Sequence, residues 1–458
     1  MFKRYISHFE MPNSNWNIVE DSLLYRIVKD KEDKIYKKIF AFDLDNTLIL
    51  SRSFFKPAQN ENDYMFYTDI IDFLKKKRSE DYKIIIFSNQ KGVSTGKISL
   101  LNIVNRVDDI IQKIGIPLEC YLALKNDKYR KPRTGMYKFA EENNKCKIEE
   151  IIYVGDNANR IYDDNFKKQF INHLKYIYKK NKVNVNINEI EKRLKRDYTD
   201  TDLKFALNIN ATFYTPEELF LNIKNNLSAE FSFIPMNLLK NEDARGTVHK
   251  KNDFLNLLQQ CALLPTQQMT QTSHTKKEGT AVLESGGESG GESGTNGQFF
   301  IILIGAPGCG KTFLCDTYFP HFTKINIDSA KRKSINIVKE YIRSGKNVII
   351  DGENAYTKNR IIYIYMAKQI NKNLKVNAIF FNYSKDLVIH LNTFKLITDR
   401  SQRIHDIPTI AIQSFYKYVE KPTARENFDK IVILNDEDFV PRNFENDEQK
   451  KMFFSYLY

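Results

Sequence analysis

Short apolar runs that end at acidic or small polar residues recur along the chain. Each is rich in Ile, Val or Phe and is followed by more polar sequence with helical character. Continuous apolar strands that alternate with helices are typical of parallel sheets covered on both faces, and ligands bind such sheets beyond the carboxyl ends of the strands. The pattern predicts an α/β fold with functional residues at these strand ends. The runs are IFAFDLD (39–45), KIIIFSN (83–89), IIYVGD (151–156), FFIILIG (299–305), NVIIDG (347–352) and NAIFFN (377–382).

A polar, low-complexity segment separates two groups of these strands. Residues 267–298 are rich in Ser, Thr, Gly and Glu and include GGESGGESG at 286–294, so they cannot bury apolar surface. We therefore expect two parallel-sheet domains joined by a linker that is flexible from residue 267. The expected boundaries are a lead-in at 1–29, a first domain at 30–240, a linker at 241–296 and a second domain at 297–458.

A Lys-rich insertion at 166–200 interrupts the first domain, and we expect it to be partly helical. A solvated excursion on the surface is the structural interpretation of this segment. Contact with nucleic acid is the functional alternative, because clustered cations attract phosphate groups.

Composition narrows the class of protein only slightly. The 458 residues carry a net charge of +13, which favours a polyanionic partner, although Lys-, Asn- and Ile-rich usage along the whole chain could also reflect coding bias. Five cysteines without CxxC spacing indicate reduced thiols rather than a disulfide framework or a zinc site. The N-terminus lacks a signal-peptide core and no run of about 18 apolar residues occurs, so we expect a soluble intracellular protein without a membrane partner.

The first strand group ends at a pair of carboxylates. In IFAFDLDNTLI, Asp43 and Asp45 lie two residues apart at the end of a strand. Two carboxylates so close repel unless a cation lies between them, and Mg²⁺ prefers such oxygen ligands. One carboxylate can attack phosphorus while the other protonates the leaving oxygen and later activates water. We assign Asp43 as the nucleophile and Asp45 as the general acid and base.

Three further elements follow in the order that this chemistry needs. The strand KIIIF ends at Ser88 and Asn89, which offer donors to a phosphate oxygen, and Lys131 in YRKPRTGMY can hold the phosphate. The strand IIYVG ends at Asp156, which joins Asp43 and Asp45 as a candidate Mg²⁺ ligand. Together the four elements resemble the haloacid dehalogenase superfamily, which implies a Rossmann-like phosphatase domain.

The second strand group begins with a phosphate-binding loop. GAPGCGKT at 305–312 fits GxxxxGK[ST] and follows the apolar strand FFIILI, the context that this motif requires. Gly305, Gly308 and Gly310 allow backbone N–H groups to wrap phosphates, Lys311 reaches the outer phosphates, and Thr312 offers an oxygen to Mg²⁺. The motif predicts an ATP-binding domain of the P-loop class.

Two carboxylates after this loop could serve a kinase. Asp328 ends the segment KINID and Asp351 ends NVIID. A kinase needs a carboxylate to accept the proton of the acceptor hydroxyl. We assign Asp328 as this general base and expect Asp351 to orient substrate or to contact Mg²⁺ through water, unless it is only a strand-end residue.

Both halves together resemble the polynucleotide kinase 3′-phosphatase family. The resemblance rests on a series of segments in the family order: NWNIVEDSLLYR, FSNQKGVSTGKIS, RKPRTGMYKF, YVGDNANR, DLKFALNINATFYTPEELFL, GAPGCGKT, NIDSAKR, GKNVIIDGENAYTKNRIIYI, HLNTFKLITD and YKYVEKPTARENFDKIV. It implies a Mg²⁺-dependent phosphatase that removes 3′-phosphates and a kinase that moves the ATP γ-phosphoryl group to 5′-hydroxyls. Asp202, in TDLKFALN, is a further candidate for the periphery of the metal or phosphate site, with a helix cap as its structural interpretation.

The sequence departs from the family at three positions. Asn46 stands where Gly is usual, and Asn tolerates the positive φ of such a turn. Glu353 replaces a Thr, and Thr393 replaces the Arg of the lid segment. Charge on the transferred phosphate must then be stabilised by Lys395, Arg400 or Arg403. The candidates for substrate or lid contacts are Asp351, Asn354, Arg360, Lys395, Arg400 and Arg403.

The resemblance implies an enzyme that restores 3′-hydroxyl and 5′-phosphate ends at DNA breaks, acting as a monomer in the nucleus, with organellar repair as the alternative location. Repair scaffold proteins are further candidate partners, but the sequence before Asp43 is too short for the forkhead-associated domain of vertebrate relatives. RNA ends remain an alternative substrate, because neither motif reads the 2′-hydroxyl. A phosphatase with a decayed kinase half is another alternative, motivated by Glu353 and Thr393. A metabolite phosphatase fused to an unrelated NTPase is the least favoured reading.

Overall fold

The computed structural model divides the chain into two units. It describes residues 15–30, 34–53, 56, 58, 60–144, 146–224, 231–241, 297–327, 334–398, 407–439, 441 and 444–458. One unit comprises Met1–Pro235 together with Phe444–Tyr458, and the other comprises Met236–Asn443. Within the described ranges, no helix has the length and apolar character needed to cross a membrane.

The first unit is built on a seven-stranded sheet. The strand order is β1-β2-β7-β6-β3-β8-β9, in which β7, β6, β3, β8 and β9 are parallel and β1 and β2 form an antiparallel edge. A hairpin of β4 and β5 lies apart from this sheet. The strands are β1 Asn17–Val19, β2 Leu23–Val28, β3 Lys38–Phe42, β4 Ile49–Ser51, β5 Tyr64–Phe66, β6 Tyr82–Asn89, β7 Leu118–Ala123, β8 Glu150–Val154 and β9 Thr212–Tyr214.

Helices cover both faces of this sheet, as the continuous apolar strands predict. Alternation along β3 sends Phe40 and Phe42 into one apolar core and Ile39 and Ala41 into another. The helices are α1 Ile70–Ser79, α2 Leu100–Ile114, α3 Gly135–Glu142, α4 Asp164–Lys180, α5 Ile187–Arg193, α6 Thr201–Asn208 and α7 Pro216–Leu221, followed by a 3₁₀ helix at Pro235–Asn241. The first core contains residues of α1 and α2, and the second contains residues of α3 and α6.

The expected lead-in at 1–29 does not stand outside the first domain. Strands β1 and β2 lie within it, and β2 pairs with β7 along six residues. Trp16 is buried and its Nε1 donates to Asp108 Oδ1 at 2.7 Å. Because an edge strand must satisfy its backbone groups and bury its apolar face, residues 16–28 are part of the sheet.

The Lys-rich insertion at 166–200 has a core of its own. Helices α4 and α5 form most of it, which confirms the expected helical character. Phe170, Leu174 and Ile177 recur at helical spacing on α4 and pack with Met65 and Tyr67 from the region of the β4–β5 hairpin. The insertion is therefore packed against the first unit on one face and exposes its lysines on the other.

The second unit is a five-stranded parallel sheet in the order β11-β12-β10-β13-β14. Phe300, Ile302 and Ile304 of the central strand lie in its core with Val338 and Ile364 of the covering helices. The strands are β10 Phe299–Ile304, β11 Thr323–Asn326, β12 Val348–Asp351, β13 Lys375–Phe381 and β14 Lys430–Leu434. The helices are α8 Lys311–Tyr318, α9 Ser334–Arg343, α10 Thr357–Ile370, α11 Lys385–Thr398 and α12 Thr409–Tyr418, with 3₁₀ helices at Ala424–Glu426 and Asp436–Asp438. The predicted α/β class with two parallel-sheet domains is confirmed, whereas the expected flexible linker from residue 267 to 296 lies outside the described residues.

The domain boundary expected at the end of the chain differs from the structure. Residues 297–458 were expected to form one domain, but Phe444–Tyr458, here called the returning segment, belongs to the first unit. It contains α13, Asp447–Phe453. Leu457 is buried and its carbonyl accepts from Arg133 Nε at 2.9 Å. The backbone of Tyr456 exchanges two hydrogen bonds with the side chain of Asn208, at 2.8 and 2.9 Å.

Removing Tyr456–Tyr458 should destabilise the first unit and leave the second unaffected. The deletion removes the buried Leu457 side chain and leaves Arg133 Nε and the Asn208 amide without these partners, at a cost of about 2–4 kcal/mol. Hydrogen exchange of the truncated protein would show faster exchange in α6, with β10 and β13 as the internal reference. As a control, Lys138→Ala removes only a surface pair with Glu448 and should change stability by less than about 1 kcal/mol. Unchanged protection of α6 after the deletion would contradict the assignment.

Candidate active sites

The first candidate site lies at the carboxyl end of β3. Asp43 directly follows this strand and its N–H donates to Val154 O at 2.8 Å, which fixes it beside the end of β8. Its side chain is buried. Asn46 follows in the turn with φ of +57°, the left-handed conformation that Asn tolerates better than other residues with a Cβ. The departure from Gly at this position therefore preserves the turn.

A buried ammonium group connects the residues of this site. Lys131 Nζ donates to Asp43 Oδ1 at 2.6 Å, to Asp202 Oδ1 at 2.7 Å and to Tyr153 Oη at 2.7 Å. The backbone of Lys131 is held in turn by Asn89, which accepts from its N–H at 2.9 Å and donates to its carbonyl at 3.1 Å. Asn89 was predicted to bind phosphate, but here its amide positions Lys131.

Three carboxylates meet around this lysine. Oxygens of Asp43, Asp156 and Asp202 all lie within 4.8 Å of one another. Burial raises the pKa of Asp43 to about 7, and the charge of Lys131 only partly offsets that effect. Burial also raises the pKa of Asp156 well above its ordinary value, and the charges of Asp202 and Asp43 add to the rise. One lysine does not neutralise three carboxylates, so an oxygen-preferring divalent cation fits this cluster.

Asp45 occupies a different position from Asp43. Its side chain is 39% exposed, and Gln90 Nε2 donates to its Oδ2 at 2.8 Å. The same Gln90 nitrogen donates to the buried Ser88 hydroxyl at 2.9 Å. Asp45 thus faces solvent, as a residue that exchanges protons with a leaving group and with water must. Its predicted role as a metal ligand stays a prediction, because the cluster of three carboxylates does not include it.

Asp202 and Tyr153 both belong to this site. Asp202 was expected only at its periphery, and Tyr153 was not a candidate. Asp202 is the second residue of α6, whose N-cap is Asp200, so it is not the cap that was considered. Gly155 is the sequence feature that indicates this close contact, because a Cβ there would lie 2.5 Å from the Asp202 side chain. The glycine of YVGD therefore lets Asp202 approach the end of β8. Tyr153, a hydroxyl in the otherwise apolar run IIYV, was a second and weaker signal.

The second candidate site is the loop between β10 and α8. Gly308 and Gly310 have φ of +82° and +99°, which residues with a Cβ rarely adopt. A Cβ at Gly305 would lie 2.7 Å from Cys309 Sγ and 2.9 Å from Phe381 Cβ. Lys311 Nζ donates to the carbonyls of Gly305 and Ala306 at 2.9 and 2.8 Å. The three predicted glycines thus shape a loop that leads into a helix N-terminus, a favourable place for phosphate.

A carboxylate lies beside the hydroxyl of this loop. Thr312 Oγ1 donates to Asp351 Oδ2 at 2.7 Å. Asp351 ends β12 and is buried. A hydroxyl and a carboxylate at the foot of a phosphate loop suit a Mg²⁺ site. The structure therefore favours the interpretation that Asp351 serves the metal over that of a strand-end residue.

Arg360 has a different role from the predicted one. It was a candidate for substrate or lid contact, yet it is fully buried and its Nε and Nη2 donate to the two Glu426 oxygens at 2.7 and 2.8 Å. Its Nη1 donates to Asn354 O at 2.9 Å. Asn354 is also buried, and its Nδ2 donates to Leu303 O at 2.6 Å. Both residues hold the segment after β12 in place, and a substrate contact of Asn354 stays a prediction.

The lid candidates are only partly covered by the described residues. Lys395 is exposed on α11. Thr393 Oγ1 donates to Ile389 O at 2.7 Å, so its hydroxyl bonds the backbone of its own helix. The neighbouring Asn392 faces the loop, since a Cβ at Gly308 would lie 3.4 Å from its Oδ1. Asp328, Arg400 and Arg403 lie outside the described residues, and their roles stay predictions.

Comparison with known proteins gives the same two halves. A family model described as polynucleotide kinase 3 phosphatase matches residues 38–220. The bifunctional polynucleotide phosphatase/kinase of Schizosaccharomyces pombe is 26% identical over 423 residues, which cover 91% of this chain and 83% of the relative. A putative bifunctional polynucleotide phosphatase/kinase of Acanthamoeba polyphaga mimivirus is 28% identical over 437 residues, covering 90% of this chain and 88% of the relative. The polynucleotide 3′-phosphatase of Saccharomyces cerevisiae is 25% identical over 244 residues, covering 40% of this chain and 87% of the relative.

These matches confirm the resemblance that the sequence motifs indicated. The residues that the family model covers include Asp43, Lys131 and Asp156. The two bifunctional relatives match about nine tenths of the chain and therefore include the phosphate loop as well. Over most of its length the chain is therefore similar to bifunctional polynucleotide phosphatase/kinases, and residues 38–220 match the polynucleotide kinase 3 phosphatase family model.

Proposed function

We propose that the chain is a bifunctional enzyme that repairs DNA ends, with a 3′-phosphatase in the first unit and an ATP-dependent 5′-hydroxyl kinase in the second. The observation that carries the proposal is the buried contact of Lys131 with Asp43 and Asp202, on a chain that also holds a P-loop with Thr312 paired to Asp351. The two sites act on opposite ends of a strand break and together yield ends that a ligase can join.

The phosphatase half follows from the positions of its carboxylates. A carboxylate oxygen of Asp43 attacks phosphorus, a bond to the aspartate forms, and the bond to the 3′-oxygen breaks. The leaving oxygen takes a proton from Asp45, which then accepts a proton from the water that hydrolyses the phospho-aspartate. Lys131 Nζ lies 2.6 Å from Asp43 Oδ1, and its positive charge offsets negative charge on the phosphoryl group. Mg²⁺, held by Asp43 and Asp156 with Asp202 nearby, would supply the remaining positive charge.

The kinase half follows from the loop and its carboxylate partner. The loop amides and Lys311 bind the ATP phosphates, and Thr312 with Asp351 would hold Mg²⁺. Asp328 is our candidate for the base that accepts the proton of the 5′-hydroxyl. A polynucleotide substrate is supported by the net charge of +13 and by the names of the relatives. DNA as that polynucleotide, Mg²⁺ as the metal and the nucleus as the location are further parts of the same proposal.

One duplex with a nick bearing 3′-phosphate and 5′-hydroxyl tests both activities at once. With Mg²⁺ alone, the purified protein should release phosphate from the 3′ end and leave the 5′ end unchanged. Added ATP should then phosphorylate the 5′-hydroxyl, so that a ligase seals the nick. Phosphate release without 5′ phosphorylation would favour the decayed-kinase alternative, which the inward bond of Thr393 motivates. The same nick in an RNA strand separates DNA from RNA preference.

Asp43→Asn should abolish 3′-phosphatase activity and spare the kinase, because an amide is a far poorer nucleophile. The reciprocal variant Lys311→Ala should abolish 5′ phosphorylation and spare phosphate release, because the lost ammonium lies in the phosphate loop of the second unit. Asp81→Asn is the matched control, since this exposed carboxylate pairs only on the surface with Lys34. Unchanged phosphate release by Asp43→Asn would refute the nucleophile assignment.

Substitution of Asp328 and substitution of Asp351 should affect 5′ phosphorylation in different ways. Asp328→Asn should slow 5′ phosphorylation by about 10²–10⁴ with little change in ATP affinity, as expected for a general base. Asp351→Asn should instead shift the Mg²⁺ concentration needed for half-maximal rate, because Asp351 bonds the metal-binding hydroxyl of Thr312. Single-turnover rates across a Mg²⁺ titration measure both effects. If Asp328→Asn phosphorylates at a near-normal rate and Asp351→Asn shows a large loss at saturating Mg²⁺, the assigned roles of the two residues must be reversed.

A further inference from the structure

Two segments run antiparallel beside the carboxylate cluster of the first unit. One is 159–162, which follows Asp156, and the other is 195–199, here called the rim segment. Asn159 N–H donates to Thr199 O at 3.1 Å, and Tyr162 N–H donates to Lys195 O at 2.9 Å. A third bond, at 3.0 Å, joins the N–H of Asp197 to the carbonyl of Arg160. These bonds hold the rim segment in register with the chain that leaves the catalytic strand β8.

A buried ion pair between Asp197 and Arg160 anchors the rim segment to the rest of the first unit. Asp197 is buried and accepts from the N–H groups of Ala158 and Arg160, both at 2.9 Å, and from Arg160 Nε at 2.8 Å. Arg160 is also buried and donates through Nη1 to Glu217 at 2.6 Å. Because these charged groups are paired and hydrogen-bonded inside the unit, the backbone on either side of Asp197 has a fixed position.

The rim segment is also tied to the candidate active site. Thr199 Oγ1 donates to Asn157 Oδ1 at 3.1 Å. Asn157 in turn donates from its backbone N–H to Asp202 at 3.1 Å and from Nδ2 to Asp156 at 2.7 Å. A single side chain, Asn157, therefore separates the rim segment from the carboxylate cluster.

The residues that the rim segment presents to solvent are basic and aromatic. Tyr198 is 96% exposed, more than any other large apolar or aromatic side chain in the described ranges. Lys195 and Arg196 are exposed beside it. So large a ring on an anchored backbone contributes almost nothing to packing. The exposed ring offers a stacking face, and the neighbouring cations suit a polyanion.

We propose that the rim segment binds the polynucleotide strand next to the 3′-phosphate that is removed. Tyr198 stacks on a base, and Lys195 and Arg196 pair with backbone phosphates. Stacking is tolerant of sequence because every base presents a π-face. This inference rests on the proposed phosphatase function and assigns the nucleic-acid contact of the 166–200 insertion to three of its residues, while α4 and α5 supply the packed support.

Steady-state kinetics on a 3′-phosphorylated single-stranded DNA oligonucleotide test the stacking. Tyr198→Ala should raise KM about 10-fold or more with little change in kcat, and Tyr198→Phe should restore KM. Tyr176→Ala is the matched control, because Tyr176 is 58% exposed on α4 and lies roughly 18 Å along that helix from its first residue. An oligonucleotide with abasic sites near its 3′ end should bind both wild type and Tyr198→Ala equally weakly.

Salt dependence tests the phosphate contacts. The double variant Lys195→Ala with Arg196→Ala should lower the slope of log KM against log salt by about 1.4, since each lost single-strand phosphate contact accounts for about 0.7. Lys175→Ala with Lys179→Ala removes two exposed cations of α4 and should leave the slope unchanged.

The outcomes separate this inference from the function on which it rests. Wild-type KM and salt slope in the rim variants, with active phosphatase, would overturn the rim contact alone. A loss of kcat in Tyr198→Ala that Tyr198→Phe does not repair would also overturn it, because that pattern indicates a structural role. A wild-type protein that releases phosphate from no polynucleotide would instead refute the proposed function.

Discussion

The ammonium group of Lys131 is the interaction on which the first site depends. It lies buried between Asp43 and Asp202 and also contacts Tyr153. Without the lysine, three carboxylates so close together would be strongly unfavourable, because burial and mutual repulsion both disfavour their charged forms. The lysine makes the cluster tolerable but leaves it with excess negative charge. That residual charge creates the demand for a divalent cation, and the same lysine is then available to a phosphoryl group.

Both sites also depend on a glycine at a point where two segments of the chain approach closely. Gly155 admits Asp202 to the end of β8, and Gly305 admits Cys309 and Phe381 to the base of the phosphate loop. In each unit, the parallel sheet delivers its functional residues to the carboxyl edge, and the glycine permits a close approach that a Cβ would prevent. The chemistry differs between the units, whereas the way in which the fold positions it does not.

Much of this arrangement could be predicted from the sequence because it is local. Apolar runs ending in acids predicted the strands, and the residues at those ends include Asp43, Asp156 and the P-loop. The sequence was less informative where the decisive partner is distant along the chain. Asn89 and Arg360 have side chains that suit phosphate binding, but their hydrogen bonds go to Lys131 and Glu426, which no local pattern indicates. Asp202 resembles an ordinary first-turn acid of a helix until the fold brings α6 against β8.

Because of the returning segment, the first unit can be completed only after the second unit has been synthesised. Translation supplies residues 1–235 first, but the last piece of their unit, Phe444–Tyr458, leaves the ribosome only after the whole of the second unit. At roughly 5–20 residues per second, the first unit waits about 10–45 s for this piece. During that interval Leu457 and its neighbours do not yet cover Arg133 and Asn208. A chain cut short anywhere in the second unit therefore also lacks the contacts that complete the first.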